Sequence, residues 1–407
     1  MVSMDERDNS VRLRAPAELA SITPEWLTWA LGLDHSHPDV RVQEVRILET
    51  GMGNRATAQI ARIEVFPEYG SKWIPPDTLV VKLSHSDPEV RREANRLGLY
   101  EREARFYQQA APKGELALGG PPFERAPDDD RPMIPLTGRP DAQSQNIISR
   151  FVVPPRTLCP PYCYYAAYDR QTGQSALLLE DLSQTEHGSW RTGCTAQYAR
   201  LVIEELAGMH SLWWNSSKLD DFDWLYDFRI GGDPAALASE YRRRFGRFLE
   251  RVGSGLSEEA VDITRNLDQE INTLLRRLTM PPRTLVHNDF QLDNLFFHEH
   301  ATIATDWQMV SAARGAFDAA YFLGSNLDPV ERSNREVDLL RTYHNTLLNN
   351  GVDDYTFGEC LRDYQDSLKV AFFRMVYATG AERELPPAEQ EYYRVLVLRL
   401  ADAIMDQ

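Results

Sequence analysis

The sequence changes its periodicity once, near Asp181, and that change limits the folds open to it. Before it, short apolar and β-branched runs recur: Val45–Leu48, Thr57–Val65, Thr78–Leu83, Tyr162–Tyr168 and Ser175–Glu180, the last two joined by a turn at Thr172–Gly173. After it, apolar residues return at steps of three and four, predicting helices over 195–214, 234–252, 256–279, 317–326, 331–349, 355–378 and 386–404. Only 283–305 breaks this run with short strands. Two helices fall in the first half: a leading one at 17–33, starting at Thr23–Pro24–Glu25, and a long one from Pro88 to Ala111 with Val90, Ala94, Leu97, Tyr100, Ala104 and Tyr107 on one face. With 407 residues the chain exceeds one small core. The expectation is an α+β protein with a small mixed-β lobe at 1–182 and a large, mainly helical lobe at 183–407. Residues 113–160, rich in Pro, Gly and Asp, form an insertion in the first lobe without a periodic element.

Composition narrows the partners. A formal net charge of −17 repels phosphate backbones, which excludes nucleic acid as a partner and makes most of the acidity a solubilising surface. Cys159, Cys163, Cys194 and Cys360 fit neither a metal pair nor a disulfide framework, so reduced thiols are expected. No leader-like apolar run opens the chain, and no stretch approaches the ~20 apolar residues that span a bilayer. A cytoplasmic protein with no membrane partner is the expectation.

The chemistry is concentrated in His287–Asn288–Asp289–Phe290–Gln291–Leu292–Asp293–Asn294, followed by the strand Ile303–Ala304–Thr305 and then Asp306. Phosphoryl transfer to an alcohol needs a carboxylate to orient the hydroxyl and take its proton, and magnesium held by oxygen ligands against the triphosphate of ATP. Asp289 suits the first task, and Asn294 and Asp306, both hard oxygen donors, suit the second. His287 is read as structural, His210 as a packed core histidine, and Asp318 as the holder of the loop's backbone donors.

These residues resemble the aminoglycoside-phosphotransferase and choline-kinase superfamily, which has a bilobal protein-kinase-like fold. Gly315–Ala316–Phe317–Asp318–Ala319–Ala320 stands where that superfamily has G-x-x-x-D-L-A. The finer resemblance is to the ecdysteroid-kinase-like branch, through Glu103–Ala104–Arg105–Phe106–Tyr107, Leu179–Glu180–Asp181–Leu182 and Asp306–Trp307–Gln308. Asn288 replaces the usual loop glycine and Ala319 the usual leucine; neither change removes a reacting atom. The resemblance implies ATP and Mg²⁺ as cofactors, with Lys82 at the α- and β-phosphates. It pairs Lys82 with Glu103, whereas helical spacing favours Glu101, nearer the centre of the apolar face. It further implies a phosphate-covering turn containing Gly53 and Asn54, and adenine flanked by Glu180 and Leu182 through backbone carbonyl and amide.

The acceptor implied is a small hydroxylated, rather apolar molecule, with Trp213, Trp214, Trp224 and Tyr226 as candidate lining. Two other classes stand beside it. A choline- or aminoglycoside-like cation would use Asp353, Asp354, Glu359, Asp363 or Asp366, and a catalytically silent kinase fold would have lost one of Lys82, Asp289, Asn294 or Asp306, all of which are present. A protein kinase is disfavoured by the missing HRD, DFG and APE set.

Overall fold

A computed structural model describes residues 15–32, 41–50, 57–70, 75–111, 157–226, 234–298 and 301–407. The Gly53–Asn54 turn and nearly all of the 113–160 insertion lie outside the described residues. The chain divides into two compact units, 1–184 and 185–407. No helix among the described residues is long and apolar enough to cross a membrane.

The first unit is an antiparallel five-stranded sheet. Its strands are β1 (Val42–Thr50), β2 (Ala58–Pro67), β3 (Thr78–Ser84), β4 (Cys163–Tyr168) and β5 (Ser175–Glu180), in the order β1-β2-β3-β5-β4. Side chains alternate across a strand. Leu79, Val81 and Leu83 therefore share one face with Ile63 and Val65, and helix α1 (Pro24–Gly32) covers it with Trp26, Leu27, Ala30 and Leu31. Thr23 caps α1 by accepting from the Trp26 amide at 3.2 Å, and Thr28 Oγ1 ties the helix to β1 through the Val42 amide at 2.9 Å. Lys82, between two core residues, falls on the opposite face by the same alternation.

The long helix expected from Pro88 to Ala111 is instead two helices, α2 (Pro88–Arg96) and α3 (Leu99–Arg105), followed by a π-helical turn at Phe106–Ala110. Gly98 adopts φ 69°, in the left-handed region, and Leu97, counted as a core position, is exposed. The buried Arg102 guanidinium donates to the Leu97 carbonyl at 3.1 Å and so satisfies the end of α2. The break turns α3 by a rotation that simple periodicity does not carry, and this decides which glutamate faces Lys82.

The second unit contains α4 (Ala196–Trp213), α5 (Pro234–Val252), α6 (Glu258–Arg265), α7 (Leu267–Thr279), α8 (Ala316–Asn326), α9 (Pro329–Asn349), α10 (Phe357–Thr379) and α11 (Pro387–Met405). The helix expected over 256–279 is divided at Asn266, which ends α6 and opens α7. Short strands β7 (Thr284–Val286) and β10 (Ser311–Ala313) pair with each other, and β8 (Leu295–His298) with β9 (Ala301–Ala304). The edge strand β6 (Glu186–His187) joins β8. Every residue of α8 is buried, including Asp318 and Asn326; it packs against α10 and α11.

Arginines of α5 fix the C-terminal end of α10 and the connection to α11. Arg244 donates to Tyr377 O, Arg247 to Gly380 O at 3.0 Å, and Arg251 to Thr379 O at 2.7 Å, Ala381 O at 2.8 Å and Arg383 O at 3.0 Å. Cations thus meet the unpaired carbonyls of a helix end.

Gly315, immediately before α8, is required by close approach. A Cβ there would stand 2.4 Å from Tyr343 Oη and 2.8 Å from His210 Nδ1, two buried groups hydrogen-bonded to each other at 2.7 Å. Both rings are fully buried. Gly315→Ala is expected to lower the unfolding free energy by about 1–3 kcal/mol, the usual cost of overpacking, and denaturant titration measures it; an unchanged midpoint would show that the site yields.

Candidate active site

The segment His287–Asn294 leaves β7 and must hold an irregular backbone without a helix or sheet to satisfy it. Asp318, on buried α8, accepts the His287 amide at 2.6 Å and the Asn288 amide at 2.8 Å, one on each carboxylate oxygen. Arg374, on α10, donates to the Asn288 carbonyl at 2.6 Å. Asn326, at the far end of α8, takes the Leu292 amide at 3.1 Å. His287 is fully buried: its Nε2 meets Thr305 O at 2.9 Å and its Nδ1 accepts the Asp289 amide at 3.3 Å, a pattern that needs the neutral Nε2–H tautomer. Trp307 packs against its ring at 4.6 Å.

Asn288 adopts φ 68°, which asparagine tolerates better than most residues. Its amide then does what glycine cannot: Nδ2 donates to Met309 O and Ser311 Oγ, each at 2.7 Å. The loop is thereby tied to the chain that follows Asp306.

Asp289 projects from this loop, partly buried. One carboxylate oxygen accepts Asn294 Nδ2 at 3.0 Å, the other Gln291 Nε2 at 3.2 Å. Asn294 Nδ2 also donates to Asp289 O at 2.8 Å, so the amide nitrogen is committed and the side-chain oxygen is the atom it presents to a cation. Asp306, at φ 66°, is brought to the same region because the Thr305 amide donates to Asn294 O at 2.8 Å. Gln308 Nε2 donates to Asp306 Oδ2 at 3.1 Å. Burial raises the Asp289 carboxyl above the ordinary carboxylate range and the Asp306 carboxylate adds to this, against the opposing pull of the Arg374 cation and the Asn294 hydrogen bond.

Three tyrosines and an arginine lie near Asp289 that the sequence reasoning missed. Tyr321 of α8 and Tyr392 and Tyr393 of α11 all feel its charge, as does Arg374. Burial holds all three phenols above their ordinary range, so they stay protonated donors. The acidic residues proposed for a cationic acceptor are mostly engaged within the chain: Asp354 with Trp214 and Asn215, Glu359 with Thr356, Asp363 with Arg314 and Tyr355, and Asp366 with Arg277. Asp353 is exposed. Of the aromatic candidates, Trp213 packs on Phe222 and Phe222 on Trp224, Trp214 packs on Tyr355, and the Tyr226 amide donates to Val310 O at 3.0 Å.

In the first unit, Lys82 Nζ lies 2.8 Å from each oxygen of Glu103, with both side chains largely buried. Glu101, the alternative raised by helical spacing, binds Arg105 and Arg170 instead. Glu180 and Leu182 bracket Asp181, whose carboxyl burial raises but which hydrogen bonds from Thr78, Arg62 and Ser183 bring below its ordinary value. The Glu180 amide donates to Tyr162 O at 2.9 Å.

Removing one member of a buried ion pair leaves the other without compensation. Lys82→Met is expected to destabilise the protein by about 3–5 kcal/mol, and Lys82→Met with Glu103→Leu to recover much of that loss. Thermal unfolding of the two variants measures the difference.

No curated protein matches the chain. Its structure is similar to that of an ethanolamine kinase from Plasmodium vivax, at 11% identity over 91% of this chain and 86% of that one, with a TM-score of 0.45. It is similar also to a choline kinase from Cryptosporidium parvum, at 8% identity over 92% and 94% and a TM-score of 0.47. An ADP-bound aminoglycoside phosphotransferase matches at 11% identity over 91% and 98%, with a TM-score of 0.41. At such identities and scores these likenesses say nothing of substrate or mechanism. The sequence itself carries the assignment: the family model described as ecdysteroid kinase-like matches residues 148–351, half of the chain, from β4 and β5 through the Asp289 loop and Asp306 to the end of α9. The chain belongs to the ecdysteroid kinase-like family.

Proposed function

We propose that this protein is an ATP- and magnesium-dependent kinase that moves the γ-phosphoryl group onto a hydroxyl of a small, neutral and rather apolar acceptor. The observation that carries the reading is the commitment of Asn294 Nδ2 to Asp289, which orients a hard oxygen donor beside Asp306 on one side and holds a carboxylate ready to accept a proton on the other. Among the described residues no three His, Cys, Asp or Glu side chains are grouped to hold a metal. The pair Asn294 and Asp306 nevertheless fits magnesium, which is bound by one or two protein oxygens together with phosphate and water. Magnesium supplies neutralisation of the phosphate charge.

The chain's own residues do the rest. Asp289 orients the acceptor hydroxyl and takes its proton, helped by a carboxyl shifted above its ordinary value. Lys82, steadied by Glu103, meets the α- and β-phosphates as a point charge. The Glu180 carbonyl and Leu182 amide take adenine. The neutral phenols and the Arg374 cation near Asp289, with Asp354, Glu359, Asp363 and Asp366 engaged within the chain, support an uncharged acceptor over a cationic one.

A screen of hydroxylated compounds for ATP consumption, with mass-spectrometric detection of the phosphorylated product, tests the reading; preference for choline or an aminoglycoside would reverse the acceptor class. Asp289→Asn is expected to keep ATP binding and lower turnover by roughly 10²–10⁴, and turnover within a few-fold of the parent would remove Asp289 from the role of base. Asp306→Ala should erase the effect of magnesium on ATP binding in calorimetry, and a magnesium effect that survives would place the ion elsewhere.

A further inference from the structure

Asp289 carries two oxygens, and only one can receive the acceptor's proton. Asn294, fixed by the loop itself, holds one of them at 3.0 Å. The other is held at 3.2 Å by Gln291 Nε2, and an amide can present either its NH₂ or its oxygen to a neighbour. What decides the orientation comes from the far end of the chain. The Tyr392 hydroxyl of α11 donates to Gln291 Oε1. With that oxygen engaged, the NH₂ must point at Asp289; the flipped amide would set oxygen against carboxylate. Gln291 is buried among the loop residues, whereas Tyr392 is partly buried with Trp190 edge-on against its ring at 5.5 Å. Its phenol stays protonated, because burial raises it far above its ordinary value.

We propose that Gln291 is a positioning residue for Asp289 and that Tyr392, acting through Gln291, makes the C-terminal helix part of the machinery that aims the catalytic carboxylate. The inference rests on the assignment of Asp289 as base. It accounts for the engagement of both carboxylate oxygens in the resting protein: each oxygen keeps a second lone pair, so an acceptor hydroxyl meets a carboxylate whose rotation Gln291 and Asn294 already fix, and misplacement of a reacting group is costly in rate.

The test is a double-mutant cycle on the full chain with Gln291→Leu, Tyr392→Phe and the pair, read with the acceptor identified by the screen. Gln291→Leu is expected to lower kcat about tenfold with the KM for ATP unchanged. Tyr392→Phe should cost about fivefold, the worth of one hydrogen bond, and nothing further when Gln291 is already leucine. Gln291→Asn, which keeps the amide but shortens its reach, should fall between the parent and Gln291→Leu. Additive losses in the double variant, or losses confined to the KM for ATP, would overturn the inference. The same cycle read as melting temperature needs no acceptor: non-additive shifts support the Tyr392–Gln291 contact and additive shifts refute it. The two failures are separable, since an active Asp289→Asn variant refutes the base itself, whereas an inactive one beside a fully active Gln291→Leu refutes only the positioning role.

Discussion

One carboxylate organises the second unit. Asp318 accepts two successive amides of the loop, and without its carboxylate the irregular segment that carries Asp289 would lose the partner of both buried donors. It does so from a helix enclosed on every side, so the loop inherits the rigidity of the core rather than the mobility of a surface connection. The close packing of Gly315 against His210 and Tyr343 belongs to the same device, because His210 Nε2 lies 3.4 Å from Asp318.

Much of this was legible in the sequence, and the physical reason is range. The spacing from Asp289 to Asn294 is local, and so are the strand that delivers Asp306 and the glycine that precedes α8; such features leave their mark in a window of a few residues. The strand alternation that sends Lys82 to the face opposite Leu79 and Val81 is likewise written in consecutive residues. The choice between Glu101 and Glu103 was not, because it depends on Gly98 entering the left-handed region and breaking the helix. Periodicity assumes a continuous helix, and Leu97 satisfied the count while facing solvent.

The contacts that stayed hidden join distant parts of the chain. Arg374 reaches the loop across 86 residues, and Tyr392 reaches Gln291 across 101. Nothing around Tyr392 marks it, since tyrosine in an amphipathic helix reads as ordinary packing. Asn288 shows the complementary case. Its departure from glycine looked neutral in the sequence, yet its amide links the loop to Met309 and Ser311, a role visible only with the fold in hand.

The arginines that α5 sends to the end of α10 distribute a single mechanical task among three residues. Five carbonyls at Tyr377, Thr379, Gly380, Ala381 and Arg383 are met by Arg244, Arg247 and Arg251, so the turn into α11 has several moorings, any one of which can slip while the others hold. Among the described residues Asp318 has no such deputy for its two amides. The two halves of the same site therefore differ in how their anchorage is shared. The helix bearing Tyr392 follows a turn whose load is shared among three side chains, while the loop that holds the carboxylate hangs two successive amides on one.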